Sequence, residues 1–233
     1  MMKDIFGTAI LDYQLGNYSE DLITSTSISE ADSLPLPYLF RNYSEMPCLE
    51  KTALKLSRGT VLDIGCGAGS HSLYLKSKGL KVKSIDISAG AIEACRLRGL
   101  RQAHVLNVMD ETSSFDTLLL LMNGSGVFQS LANTPFVLSH LKKLINPDGQ
   151  ILIDSSDIKY MYENEIGGYW MDATKDYYGE LDYTVRYKDQ EATFSWMYVD
   201  FENLKIACEQ AGLICELIEE GPHFDYLAKI TLA

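Results

Sequence analysis

Between Val61 and Ser70 the chain reads Val-Leu-Asp-Ile-Gly-Cys-Gly-Ala-Gly-Ser, a short apolar run passing into glycines at alternate positions and then into residues with helical spacing. Gly65, Gly67 and Gly69 let the backbone turn sharply and come within contact distance of a ligand, while the helix that follows offers free N–H groups to an anionic end. The expected occupant is a nucleotide-type molecule. A dinucleotide fingerprint counted from Gly65 needs glycine at position 70, where this chain has Ser70, so a pyrophosphate cradle is poorly matched. Asp86 closes the next strand-like segment, Lys81–Asp86, 23 residues after Asp63. At that distance an acidic side chain reaches ribose hydroxyls and accepts both of their hydrogens. Taken alone, Asp86 would also suit a helix start, where a carboxylate complements the dipole. Its distance from the glycine loop favours the sugar.

These two motifs resemble those of the class I S-adenosylmethionine-dependent methyltransferases, and the resemblance covers most of the chain from Thr60 onward. It implies that Asp63, Gly65, Cys66, Gly67 and Gly69 wrap the methionine portion of the cofactor, and that Asp86, with Ile87 beside it, holds the ribose. Where the family commonly places an Asp for adenine, this chain has Asn107, followed by Val108 and Met109. The asparagine carbonyl can hydrogen-bond adenine, and the two apolar residues can pack on its face. Asn123 and Gly124, ending the run Phe115–Met122, correspond to the strand end that faces sulfonium and acceptor. An ordinary Asn-Gly turn is the plainer reading of that pair. Arg41 and Tyr43 resemble the capping residues of small-molecule methyltransferases, Arg41 forking onto the methionine carboxylate and Tyr43 lying against the cofactor. A surface ion pair is the alternative for Arg41. His71 is expected at the methionine end or in a supporting hydrogen bond.

Methyl transfer needs alignment of nucleophile, methyl and sulfur more than it needs a covalent catalyst. Should the acceptor require a base, Asp154 and His223 are the candidates. His104 and His140 read as surface or strand-edge residues, and no histidine has metal-ligand spacing. Tyr160, Tyr169 and Trp170 belong to an aromatic-rich stretch that either supplies strand propensity or walls an acceptor pocket. Two other functions remain open on sequence alone: a nucleotide-dependent oxidoreductase, and a cofactor-binding regulatory protein without catalysis.

Positioning these residues requires a particular order of elements. From Thr60, strand-like segments at 61–64, 81–86, 103–106, 115–122 and 151–153 alternate with helical segments at 70–78, 88–98 and 134–145, a pattern that argues a parallel sheet covered on both faces. The family resemblance makes this a Rossmann-like, mostly parallel seven-stranded sheet whose last strand is antiparallel. Four segments follow: an N-terminal cap without sheet elements (1–57), the cofactor-binding core (58–157), an inserted antiparallel lid (158–199), and a closing helix and strands (200–233).

With 20 basic and 32 acidic residues, the net charge is −12, which disfavours nucleic acid as a partner. The densest basic stretch, Arg96, Arg98 and Arg101, reads as the exposed end of a helix. Five cysteines without a C-x-x-C pair suggest neither a disulfide framework nor a zinc site. Neither a signal-peptide run nor a membrane span is apparent, so the expectation is a cytoplasmic protein acting on a small-molecule acceptor.

Overall fold

A computed structural model of the chain describes residues 3–163 and 175–233. The N-terminal third holds helix α1 (Ile5–Gln14), strands β1 (Leu22–Thr26) and β2 (Ser29–Leu34), and helices α2 (Leu36–Leu39) and α3 (Cys48–Leu56). Alternation follows: β3 (Thr60–Ile64), α4 (Ser70–Ser77), β4 (Lys81–Asp86), α5 (Ala89–Leu97), β5 (Ala103–Val105), β6 (Phe115–Leu120), α6 (Thr134–Leu141) and β7 (Ile145–Ser156). The chain ends with β8 (Glu180–Tyr187), β9 (Gln190–Met197), α7 (Phe201–Gln210), β10 (Leu213–Glu220) and β11 (Asp225–Leu232).

Seven strands form one sheet in the order β10-β11-β7-β6-β3-β4-β5. Pairings among β3 to β7 are parallel, and β11 runs antiparallel to both neighbours. Successive residues of a strand point to opposite faces, so a sheet covered on both sides needs apolar side chains at every position. Leu62, Leu118, Leu120, Ile151 and Ile153 fill one face with Phe128 and residues of α6 and α7. Val61, Leu119 and Leu152 fill the other with Leu49, Ala53 and Leu54 of α3. Helix starts are capped by local side chains: Ser88 accepts from the Ala91 amide at 3.0 Å, and Asp200 from that of Asn203 at 3.0 Å. No helix among the described residues is long and apolar enough to cross a membrane.

The second sheet departs from expectation. Its order is β2-β1-β8-β9, so the N-terminal segment supplies two strands and pairs directly with the insertion, Ile23 opposite Arg186 and Thr26 opposite Tyr183. The strands were hidden because Leu22 alone is buried in β1 and no residue of β2 is. Their pairing therefore leaves no hydrophobic alternation to read.

Helix α1 joins the two sheets. Ile5 and Ala9 pack with Leu22, Leu36, Val185 and Tyr187 of the lid, whereas Ile10 packs with Ala68, Ala91 and Ala94 of the core. Asp4 accepts from the amides of Gly7 (2.9 Å) and Gly90 (3.0 Å) and from Ser88 Oγ (3.0 Å), serving the starts of α1 and α5 together. The two helices cross so closely that a Cβ on Gly90 would lie 2.3 Å from the Gly7 carbonyl oxygen and 2.8 Å from its Cα. Backbone cannot yield as a side chain can. Gly90→Ala is expected to cost about 1–3 kcal/mol through overpacking. At roughly 2–4 °C per kcal/mol for a chain of this size, the melting temperature falls by several degrees, and an unchanged melting curve would refute the tight crossing.

Candidate active site

The glycine loop is held from beneath. Asp63 is only 2% exposed, and its Oδ2 accepts from Ser72 Oγ at 2.6 Å, which in turn meets Ser84 Oγ at 2.7 Å. Burial pushes its carboxyl above the ordinary range. Asp63 thus braces β3 against α4 and β4. The loop wraps the end of β4, the Gly65 and Cys66 amides donating to Ile85 O at 2.9 and 3.1 Å. Gly65 (φ 69°) and Gly67 (φ 51°) are left-handed, and a Cβ built on either would meet nothing within 4 Å. Glycine is demanded there by conformation, and the backbone faces open space.

Asp86 stands over that space. Its Oδ2 accepts from the Gly67 amide (3.0 Å) and its Oδ1 from the Ser88 amide (2.9 Å), which leaves each oxygen one further lone pair. Burial raises its carboxyl, while those two amides oppose the shift. Ile87 beside it is 69% exposed. Cys66 contributes backbone only: its side chain packs with Ile92, Cys95 and Leu100, its Sγ 3.9 Å from that of Cys95. The bond to Cys95, reinforced by burial, pushes the Cys66 thiol far up.

Beyond β5, Asn107 uses its side-chain oxygen to accept from the Met109 amide at 2.9 Å. Val108 is buried in the main core, whereas Met109 is half-buried at its edge. Arg98 corrects the reading of an exposed basic helix end. Its Nη1 donates to Ala68 O and Ser70 Oγ (3.3 Å), and its guanidinium lies 4.7 Å from the Phe40 ring centroid. It latches the glycine loop to the N-terminal cap.

Arg41 is not a surface residue. At 5% exposure, it donates through Nη1 to Tyr38 O (2.6 Å) and through Nη2 to Glu50 Oε1, with its Cζ 4.0 Å from the Tyr38 ring centroid. Two of its donors are thus committed within the protein. The other oxygen of Glu50 lies 2.7 Å from His71 Nε2; an ionised carboxylate only accepts, so that nitrogen carries the proton. Glu50 escaped sequence reading. Its signal was a charged residue on the apolar stripe Leu49, Ala53 and Leu54 of α3. Burial would raise its carboxyl, but the hydrogen bond and charge of His71 and the Arg41 guanidinium outweigh burial and leave it lowered. Tyr43 is stacked on Tyr74 at 4.0 Å, which occupies one face of its ring in packing against α4.

The ends of β6 and β7 form the other half of the site. Met122 (φ 65°) and Asn123 (φ 60°) are left-handed, an arrangement costing about 1–2 kcal/mol per residue. Asp154 compensates by accepting from the Met122 amide at 3.0 Å and the Gly124 amide at 2.9 Å. Asn123 ties the mouth to the lid, its Nδ2 donating to Met197 O (3.3 Å) and its Oδ1 accepting from Ser125 Oγ (3.1 Å). A cavity of about 250 Å³ opens here, lined by Tyr38, Glu50, Met122, Asn123, Asp154 and Asp225 among others. His223 is exposed and does not line it. Tyr160 stacks on Phe224 at 4.7 Å, beside Asp225. Tyr169 and Trp170 lie outside the described residues.

A larger hollow of about 770 Å³ opens among Thr60, Lys81, Lys83 and Arg101. It sits at the amino ends of β3 and β4, whereas ligands of open α/β sheets gather at the carboxyl ends. The glycine loop, Asp86 and Asp154 all sit at the carboxyl ends.

A methyltransferase-domain family profile matches residues 38–216. A Bacteroides fragilis S-adenosylmethionine-dependent methyltransferase, solved with S-adenosylhomocysteine, is 42% identical, with 99% of this chain and 95% of that one covered and a TM-score of 0.93. An uncharacterized methyltransferase of Staphylococcus carnosus is 28% identical over 209 residues, 83% of this chain and 86% of that protein. Malonyl-[acyl-carrier protein] O-methyltransferase of Serratia marcescens is 26% identical over 95 residues, 41% of this chain and 37% of that protein. The chain thus spans little more than a third of the Serratia protein's length.

Proposed function

The chain belongs to the methyltransferase-domain family and is an S-adenosylmethionine-dependent methyltransferase, and on that premise we propose that it methylates a small molecule by in-line displacement. The observation carrying this reading is the cavity at the ends of β6 and β7. Its volume of about 250 Å³ is below the range of about 300–1,000 Å³ typical of drug-sized ligand pockets, which suits a small acceptor. Glu50 lines the cavity and also contacts His71, on the first turn of the helix behind the glycine loop. Acceptor space and donor crevice are therefore neighbours.

Bound S-adenosylmethionine supplies a methyl already activated on a sulfonium. The chain's task is to hold, orient and keep water out. The open backbone at Gly65 and Gly67 holds the amino-acid end, and Asp86 the ribose. Helix α1, packed on Ala68, and the lid sheet, whose Trp196 a Gly126 Cβ would approach to 2.3 Å, cover the site. Radiolabel from the methyl donor is expected in the small-molecule fraction of a metabolite extract; label confined to macromolecules would overturn the acceptor class. A chiral-methyl donor should give inversion, and retention would exclude in-line transfer.

Asp154 is the base in this reading. Burial pushes its carboxyl up to about 6, and the Glu50 charge adds to the rise, while the amides of Gly124 and Met122 and the His71 charge oppose it. A carboxyl raised this way is protonated below about pH 6 and a competent base above it. kcat/KM should therefore climb with pH through about 6, and Asp154→Asn should lose that limb. A limb unchanged in the variant would assign the base elsewhere.

A further inference from the structure

The acceptor cavity carries a charge imbalance that selects among acceptors. Three carboxylates line it, those of Glu50, Asp154 and Asp225. Glu50 is matched by Arg41 and His71. Among the described residues, neither Asp154 nor Asp225 forms an ion pair with a lysine or arginine. The residues outside that description, 1, 2 and 164–174, contain no lysine or arginine. The cavity therefore holds two carboxylates that no lysine or arginine of the described residues pairs with, at a position identified by topology independently of those charges.

The rest of its lining is mixed, Tyr38, Pro47, Leu49 and Met122 being aromatic or apolar and Asn123, Ser155 and Ser156 polar. Tyr38 and Met122 line the cavity while staying 39% and 38% exposed. The stacked Tyr160–Phe224 pair adjoins Asp225 in the chain without lining the cavity, Phe224 being 62% exposed. Aromatic faces attract cations, carboxylates form their strongest hydrogen bonds with charged donors, and a carboxylate ligand would meet like charge.

Resting on the proposed small-molecule methylation, we propose that the acceptor is an amine on a small apolar body, received as its ammonium ion by Asp154 and Asp225 beside the Tyr38 ring. One ammonium proton passes to the Asp154 carboxylate, favoured by the like charge of the nearby sulfonium. The freed nitrogen lone pair then forms the N–CH3 bond as the S–CH3 bond breaks, its electron pair returning to sulfur. The products are an N-methylammonium, S-adenosylhomocysteine and a protonated Asp154, which returns its proton to solvent. Atoms and charge balance without a further reactant.

Benzylamine, benzyl alcohol and benzoate share a body and differ in charge, so the test is calorimetric titration of all three into protein saturated with S-adenosylhomocysteine. Benzylamine is expected to bind at least tenfold more tightly than benzyl alcohol, with no saturable binding of benzoate. Asp154→Asn and Asp225→Asn should each reduce the amine-to-alcohol ratio several-fold; the second variant serves should the first perturb the turn at Met122. Equal binding of amine and alcohol, preference for benzoate, or no amine binding at millimolar concentration would overturn the proposal. Saturation with S-adenosylhomocysteine is measured first. Failure at that step counts against the donor site, whereas an amine result counts only for or against the acceptor class, and label transfer to an alcohol or thiol in an extract would contradict the amine while sparing the small-molecule reading.

Discussion

Asp86→Ala should weaken S-adenosylhomocysteine binding by about a hundredfold. A hydrogen bond to a charged group contributes about 1.5–3 kcal/mol, and two ribose hydroxyls together reach at least about 3 kcal/mol, where about 1.4 kcal/mol is tenfold. The loop contributes further, because the Gly67 and Ser88 amides lose their acceptor in the same substitution. Asp86→Asn, which keeps one carbonyl oxygen for the loop, is expected to fall between the wild type and the alanine variant. Isothermal titration reads the affinity and thermal unfolding reads the fold. Unchanged affinity in a folded Asp86→Ala protein would remove this carboxylate from the sugar.

The core was legible because its strands are buried on both faces. Leu118–Leu121 is a continuous apolar run and Val61–Ile64 is interrupted only by Asp63, and a run bounded by glycine or by a helix cap admits few alternatives. The lid was only half legible. Its aromatic hairpin, β8 and β9, announced strand propensity, but β1 and β2 carry too little buried surface to show a period. Helix α1 was missed because its closest contact is made by Gly7, a residue that argues against a helix when read locally. The same division runs through the site. The glycine loop and Asp86 act through backbone conformation and spacing, both of which a sequence displays. Arg41 and Glu50 act through a contact within the cap, between the turn after α2 and helix α3, and Asp154 gathers amides 30 and 32 residues away. Those relations exist only once the sheet has formed.

Glu50→Ala is expected to be the most destabilising single change considered for the site. Arg41 would remain buried with its Nη2 unpaired, and His71 Nε2 would lose its acceptor. Breaking a buried pair by removing one partner costs about 3–5 kcal/mol, or about 6–20 °C in melting temperature at roughly 2–4 °C per kcal/mol. A desolvated, abandoned charge predicts non-additivity: Glu50→Ala with Arg41→Met should be more stable than Glu50→Ala alone, since the double variant no longer strands a guanidinium. Simple packing loss predicts the opposite. The acid limb gives an independent check. The folded Glu50 carboxyl lies below its ordinary value of 4.5, so its contribution is present above about that pH and is lost as pH falls through the folded value. Wild type should therefore shed stability in acid more steeply than Glu50→Ala, and parallel acid unfolding curves for the two proteins would show that Glu50 holds neither Arg41 nor His71 by charge.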